Sequence, residues 1–362
     1  MEANKWLIFG IIVITLFYKA VHMSRKQCIQ VVTIVLMCFS GFRSYQMGDL
    51  FHYYYAYLVC NTPGWTLDLG NTGDTIGLQL FFHGAGSIGI SFQGCLFIIS
   101  AFVAITLGIL IYRYSPSPFW SYIMYVGMGF YISTFNILKQ AIAMGFIVLA
   151  MICVLKSKPI KFVVLVTLAM LFHLPAGIFL VAYPFARKKI DVVYFIILAL
   201  TAVIVFLFRN QIVEQASILY YEGDIKFESS GSIGGRALMM SAILALGVFM
   251  RPLKQYDMVY SRIFNILVLA TIVQTFSVYD HVFSRLADYF FQFVVLLFPL
   301  IFQPGREQAK QFPGYIREIR YFTKKSYQII KFPVFVFTIL YYLSYVEASS
   351  ALLSGFSFFW NA

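Results

Sequence analysis

Residues 41–57, GFRSYQMGDLFHYYYAY, interrupt an apolar run with side chains that can bind charge and transfer protons. A helix over residues 47–58 would align four of these side chains on one face, because residues three and four positions apart are neighbours on a helix. The four are Asp49, His52, Tyr53 and Tyr57. Arg43 stands just before that helix. The pattern indicates either a structural ion pair between Arg43 and Asp49 or a carboxylate presented to a ligand.

Four further polar clusters occur inside apolar sequence. They are Lys139 and Gln140 in FNILKQAIAMGF, His173 in LFHLP, Arg236 in SIGGRALMM, and Arg285, Asp288 and Tyr289 in VFSRLADYFFQF. The last three stand at i, i+3 and i+4, so they share one helical face. Ionisable side chains within membrane segments are costly and commonly mark functional sites, which makes all four clusters candidates.

Each cluster also has a purely structural interpretation. A lysine at a helix start can snorkel to the membrane interface, and an arginine can anchor a helix end there. The histidine can hydrogen-bond a neighbouring carbonyl group, and the charged residues of SRLADYF can form an internal salt bridge that ties this helix to its neighbour. Tyr54 and Tyr55 are typical of an aromatic belt at a membrane boundary. The sequence leaves these alternatives open.

The elements that position these residues are membrane helices. Of the 362 residues, 60% are hydrophobic and only 12% are charged, and the mean hydropathy is +0.80. Apolar stretches recur near the length of about 20 residues that crosses a bilayer as a helix. Strands of a membrane barrel would be about ten residues long with alternating polarity. The composition therefore excludes a soluble domain and predicts an all-α, polytopic integral membrane protein.

Hydropathy and charge predict about twelve crossings in a single transmembrane domain over residues 1–362. The predicted helices are 6–22, 28–42, 91–112, 119–135, 137–155, 161–173, 174–186, 191–208, 236–250, 259–279, 284–303 and 332–350. Because Lys and Arg in short loops stay on the cytoplasmic side, residues 304–331 form a basic cytoplasmic loop. Residues 43–90 and 209–235 are then outer loops. The net charge of +12 reflects this topology and anionic lipid, and it does not require nucleic acid as a partner.

Residues 161–186 predict an unusual pair of short helices. Basic loops on both sides demand an even number of crossings, yet two helices of about 13 residues span only about 20 Å each. His173 lies at the apex. An apex inside the membrane is tolerable only if it is packed in protein or lines a wet cavity. Alternatively, the helices extend by a turn and the apex reaches the surface.

The candidate residues gather on the outer side of the predicted topology. Three of them are cations: Lys139, Arg236 and Arg285. Several cations suit a pyrophosphate, which accepts many charge-assisted hydrogen bonds. Tyrosines and tryptophans suit sugar rings, whose C–H faces stack on aromatic side chains. The implied ligand is a lipid-linked sugar, and neither a metal nor a cofactor is expected, because no outer DxD pair or His/Asp cluster is present.

Four blocks, in order, resemble the EpsG-like, Wzy-type polysaccharide polymerases. They are FRSYQMGDLFHYYYAY (family R…D…Y), NILKQAIA (N-x-x-R-Q-x-x-A), LFHLPAGIFLVAYPF (F-H-x-S-A) and SRLADYF (R-x-x-x-Y-F), which together extend over most of the chain. Two departures occur: Lys139 stands where arginine is usual, and Leu174 and Pro175 replace small residues.

The resemblance implies a metal-independent membrane glycosyltransferase with a GT-C-like architecture. Such an enzyme polymerises repeat units of capsule, exopolysaccharide or O-antigen on the outer face of the bacterial inner membrane. It transfers the growing chain from undecaprenyl pyrophosphate to the non-reducing end of a new lipid-linked unit. The implied partners are this oligosaccharide, membrane lipid, a chain-length regulator and a flippase.

The same resemblance assigns roles to the candidate residues. Catalytic roles are expected for Asp49, His173, Arg285 and Asp288, and substrate-binding roles for Arg43, His52, Tyr53, Lys139, Gln140, Arg236 and Tyr289. Cations would stabilise the departing pyrophosphate, and Asp49 or His173 would act as base. We place His173 by the pyrophosphate and Asp49 or Asp288 by the acceptor.

Three other functions share parts of this pattern. An O-antigen ligase uses the same donor, but ligases usually carry one large outer loop, and residues 43–90 are split by a semi-apolar stretch. A flippase moves the same lipid and would need polar residues along the whole depth of the bundle. A structural membrane protein needs no cationic cavity.

Overall fold

The computed structural model describes most of the chain. The described residues are 2–18, 20–46, 48–68, 75–189, 234–250, 258–279, 282–302, 315–349 and 356–361, with isolated positions between 193 and 215. Within these ranges the secondary structure is helical and contains no strand. The described residues also contain an isolated β-bridge between Arg43 and Phe358. The all-α prediction is therefore confirmed for the described part of the chain.

The described part of residues 1–189 forms ten α-helices and one 3₁₀ helix. They are α1 (Glu2–Phe17), α2 (Arg25–Gly41), α3 (Leu50–Cys60), α4 (Ile76–Ser87), α5 (Phe92–Tyr114), α6 (Pro118–Gly127), α7 (Phe130–Ser133), α8 (Leu138–Leu155), α9 (Pro159–Phe172), a 3₁₀ helix (Leu174–Val181) and α10 (Ala182–Ala186). Local sequence sets several starts. Ser24 and Gln27 form a reciprocal capping box before α2, and proline opens α6 and α9.

The second half adds five α-helices among the described residues. They are α11 (Gly235–Met250), α12 (Met258–Gln274), α13 (Val282–Phe291), α14 (Val294–Phe302) and α15 (Tyr315–Ala348), with short 3₁₀ helices at Thr275–Val278 and Phe359–Asn361. Predicted helix 191–208 and predicted outer loop 209–235 fall largely outside the described residues.

Among the described residues, four helices are long and apolar enough to cross a membrane by length and composition. They are Phe92–Tyr114, Leu138–Leu155, Met258–Val278 and Ile329–Ala348, and the pair Phe283–Phe291 and Val294–Phe302, bent by 40°, would make a fifth. Shorter apolar helices are Trp6–Phe17, Pro159–Phe172, Leu174–Ala186 and Gly235–Phe249. A membrane protein is supported, whereas the count of about twelve crossings is not confirmed.

Several predicted boundaries differ from the observed ones for local reasons. Predicted helix 119–135 breaks into α6 and α7 at Gly129, whose φ of +83° is a left-handed conformation that favours glycine. Predicted loop 43–90 contains α3 and α4. The predicted helix 332–350 is the end of the longer α15, which begins within the predicted basic loop.

Contacts divide the chain into two compact units. The first comprises Met1–Gly177, Phe298–Gln303 and Lys324–Ala362, and the second comprises Ile178–Leu297 and Pro304–Thr323. In the first unit α5 and α8 carry long rows of buried apolar residues and form the core. In the second unit Tyr194, Phe264 and Val268 form a buried cluster. The prediction of a single transmembrane domain stays a prediction.

Candidate functional site

Two sequence blocks that are far apart in the chain meet in the first unit. Gly48 has a φ of +50°, and a Cβ at this position would lie 3.0 Å from the Asn136 side-chain oxygen. Gly48 therefore packs against Asn136 in the turn that precedes α8. Asp49 follows at the N-cap of α3, and its carbonyl oxygen accepts a hydrogen bond from the His52 backbone N–H at 3.1 Å. This packing brings the Asp49 block to the start of α8.

One face of α3 lines a cavity of about 620 Å³ in the first unit. The lining residues are Asp49, His52, Tyr53, Tyr55, Ala56, Val59, Cys60, Trp65, Asp68, Gln79 and Lys139. This volume falls within the range of about 300–1,000 Å³ that is usual for ligand sites. Four side chains predicted from sequence thus share one cavity: Asp49, His52, Tyr53 and Lys139.

Lys139 occupies the first turn of α8 and faces an aromatic ring of α3. Its Nζ atom lies 6.0 Å from the centroid of the Tyr53 ring, which is a cation–π distance. Gln140, the next residue, is buried with 3% of its surface exposed, and it is not among the residues that line the cavity. The proposed substrate contact of Gln140 stays a prediction.

A second group of lining residues was not predicted from sequence. The amide of Gln79 on α4 holds the backbone of Asp68 at both polar groups: the Asp68 N–H donates to Gln79 Oε1 at 3.0 Å, and Gln79 Nε2 donates to the Asp68 carbonyl at 2.9 Å. The Trp65 ring stacks on His83 with centroids 4.3 Å apart. His83 Nδ1 lies 2.8 Å from the carbonyl oxygen of Cys60.

The sequence does contain a weak signal for this group. Gln79 and His83 are four residues apart in TIGLQLFFHGAG, so a helix places both on one face. No pattern marks Trp65 or Asp68, which lie in a turn-rich segment beyond α3. Tyr55, interpreted from sequence as part of an aromatic belt, also lines the cavity.

His173 ends α9, and the predicted pair of short helices flanks it. Its N–H donates to the Ala169 carbonyl at 2.9 Å, and its own carbonyl accepts from Ala176 at 2.9 Å. The N-terminus of α4 packs on the same helix end, because the Thr75 hydroxyl donates to the Phe172 carbonyl at 2.8 Å. His173 does not line the cavity. Both its catalytic role and its depth in the membrane stay predictions.

Arg43 is fully enclosed by protein. Its guanidinium donates to the carbonyl oxygens of Ser40 and Phe135 and to the Ser100 hydroxyl. Burial lowers its pKa to about 10, which leaves it a cation at neutral pH. It is absent from the cavity lining. These contacts join the end of α2 to α5 and to the turn before α8, which gives Arg43 a structural role, and its proposed substrate contact stays a prediction.

In the second unit an ion pair joins Arg236 on α11 to Asp288 on α13. The Arg236 guanidinium also lies 5.7 Å from the centroid of the Phe291 ring. Arg285, one turn before Asp288, acts electrostatically on the same carboxylate. Tyr289 is fully buried. The internal salt bridge between this helix and a neighbour, which was one of the alternatives considered from sequence, is therefore present.

Among the described residues no group of three His, Cys, Asp or Glu side chains is arranged to hold a metal, and metal independence stays a prediction.

Comparison with known proteins identifies the family. Neither the curated proteins nor the solved structures contain a match to this chain. The family model described as "EpsG family" matches residues 26–312, which is most of the chain. The protein therefore belongs to the EpsG family, the EpsG-like polysaccharide polymerases that its sequence blocks resemble.

Proposed function

We propose that this protein polymerises lipid-linked oligosaccharide repeat units. Family membership suggests a polysaccharide polymerase. The main structural support for a site is the first-unit cavity. It is lined by Asp49, His52, Tyr53 and Lys139, which come from two sequence blocks of the family pattern. Aromatic side chains with a few charged groups are the usual composition of a site for a polar ligand such as a sugar.

In the proposed reaction the chain grows at its carrier-linked end. A hydroxyl at the non-reducing end of the incoming repeat unit attacks the anomeric carbon of the growing chain. A new glycosidic C–O bond forms, and the bond from that carbon to undecaprenyl pyrophosphate breaks. The pyrophosphate departs with the bonding electron pair, and the hydroxyl proton passes to a base.

Asp49 is the residue that we propose as this base. It lines the cavity beside Tyr53 and Lys139, whereas Asp288 already holds Arg236 in an ion pair. His173 stays a second candidate base near the pyrophosphate. Arg236 and Arg285, in the second unit, stay proposed as phosphate-binding residues.

The wider setting of the proposal follows the family resemblance. The protein would lie in the bacterial inner membrane with about twelve crossings and a GT-C-like architecture, with its site on the outer face. Its product would be capsule, exopolysaccharide or O-antigen. A flippase would supply the lipid-linked units, and a partner would regulate chain length.

A strain that lacks this gene tests the proposal through glycan size on gels. If the null strain carries single repeat units on their final acceptor and the wild-type gene restores a ladder, the protein is a polymerase. If long chains instead accumulate on the carrier lipid, the protein is a ligase. If no repeat unit reaches the outer face, it is a flippase.

A further inference from the structure

We propose that Trp65 and Asp68 form a sugar-binding subsite that holds a ring of the oligosaccharide away from the reacting bond. This inference rests on the proposed function and deepens it. The subsite lies in the first-unit cavity, which Trp65 and Asp68 line together with Lys139. Its ligand class is an uncharged sugar ring with free hydroxyl groups.

The length of α3 separates the two ends of the cavity. Tyr53 approaches Lys139, and Cys60, seven residues later, approaches His83 through its carbonyl oxygen. Seven residues of α-helix correspond to about 10 Å along the axis. Because His83 stacks on Trp65, the aromatic end lies about this distance from the lysine, which is longer than one sugar ring. A saccharide bound at Lys139 would therefore reach Trp65 with a different ring.

Trp65 is held in an orientation suited to stacking. One face of the indole lies against His83 at an interplanar angle of 25°, and the ring also lines the cavity. The face not covered by the imidazole is therefore the surface that a ligand meets. Sugar rings present C–H groups on one face, and these pack on the electron-rich face of an aromatic ring.

Asp68 supplies hydrogen-bond acceptors beside that ring. Its backbone is fixed by two hydrogen bonds with the buried side chain of Gln79, one donated by the Asp68 N–H and one accepted by the Asp68 carbonyl. Asp68 lines the cavity and is exposed. An ionised carboxylate only accepts hydrogen bonds, so it pairs with sugar hydroxyl groups, which donate. Fixing the backbone before the ligand arrives lowers the entropy cost of binding.

The charge of the described lining favours the sugar over the pyrophosphate. Asp49 and Asp68 contribute two carboxylates, and Lys139 contributes one ammonium. A pyrophosphate placed among two carboxylates would meet repulsion at short range. Sugar hydroxyl groups meet no such penalty. Remote contacts of this kind can position the reacting end and raise the rate of the chemical step.

Saturation-transfer NMR on the full-length protein in nanodiscs tests the subsite. The probe is the strain's own repeat-unit oligosaccharide, released from its carrier by mild acid hydrolysis. Trp65→Ala should weaken binding by about tenfold, Trp65→Phe should recover most of it, and Asp68→Asn should weaken it less than Trp65→Ala. Trp360→Ala is the matched control, because Trp360 is 58% exposed and outside the cavity lining.

Two results would overturn the subsite. The first is equal binding by the wild-type protein, Trp65→Ala and Asp68→Asn, which is the result expected if Trp65 merely belongs to an aromatic belt. The second is that the wild-type protein in nanodiscs does not bind the probe, although glycan gels show that the strain's ladder depends on this gene. In both cases the polymerase proposal survives. If the ladder does not depend on the gene, the proposed function itself fails.

Discussion

Lys139 and Tyr53 face one another across the cavity, with the Lys139 Nζ atom 6.0 Å from the centroid of the Tyr53 ring. The two residues come from α8 and α3 and from different blocks of the family pattern. Their contact is therefore a tertiary relationship that neither block alone predicts. Lys139 also lines the same cavity as Asp49.

The position of Lys139 predicts that polymerisation requires a positive charge at this residue, whether the charge is carried by lysine or by arginine. Lys139→Met should reduce the polymer ladder by at least about tenfold, since hydrogen bonds to charged groups contribute about 1.5–3 kcal/mol. Lys139→Arg should retain the ladder, because arginine keeps the cation. Glycan gels measure both variants. Lys156→Met, at the exposed end of the same helix, is the control. A full ladder from Lys139→Met would show that this residue only snorkels.

The enclosure of Arg43 predicts a loss of stability upon substitution. Arg43→Met would leave the carbonyl oxygens of Ser40 and Phe135 without this donor, at a cost of about 1–3 kcal/mol per buried group. Thermal unfolding in detergent should show a lower Tm, and less protein should reach the membrane. A variant with normal Tm and abundance but no polymer would contradict the structural role and support substrate binding.

Close packing of α4 against the end of α9 predicts that two glycines of α4 differ in how well they tolerate substitution by alanine. A Cβ on Gly77 would lie 2.7 Å from the carbonyl oxygen of Leu171, whereas a Cβ on Gly84 would meet no atom within 4 Å. Gly77→Ala should therefore lower Tm, with an overpacking cost of about 1–3 kcal/mol. Gly84→Ala should leave Tm equal or slightly higher, because alanine is the better helix former. Equal Tm values for both variants would rule out this packing.

The Arg236–Asp288 ion pair predicts non-additive effects on stability. Arg236→Met alone leaves a largely buried carboxylate without its partner and should destabilise the second unit by about 3 kcal/mol. The double variant Arg236→Met/Asp288→Leu should recover part of that loss. A double-mutant cycle of Tm values measures the coupling. If the double variant is stable but makes no polymer, one of the two residues also acts in catalysis. Fully additive losses would argue against the pair.

The sequence predicts the first-unit cavity in part. The helical spacing of Asp49, His52 and Tyr53 is a local property, so the period of α3 gives their common cavity-lining face. Tyr57, predicted on the same face, is not among the lining residues and instead donates to the Ile90 carbonyl. Lys139 could be identified as a candidate because a cation is costly within apolar sequence. Its distance from Tyr53 could not be predicted, since it depends on how α3 and α8 pack.

Two kinds of residue escape sequence reasoning. Trp65 and Asp68 lie outside any periodic element, and Gln79 binds a backbone rather than a side chain. Arg43 is a different case: its type and position suggested an ion pair with Asp49 or a substrate contact, and the structure adds hydrogen bonds to backbone carbonyl groups and a hydroxyl. Buried arginines that satisfy helix ends and arginines that bind phosphate look alike in sequence.

Glycan length in a null strain carrying Asp49→Asn tests the central proposal most directly. The amide keeps the size of the side chain and removes its ability to take a proton, so the account predicts single repeat units and no ladder, with normal protein abundance in the membrane. Glu347→Gln, an exposed carboxylate outside the cavity lining, should keep a full ladder. A full ladder from Asp49→Asn at normal abundance would contradict the account and remove Asp49 as the base.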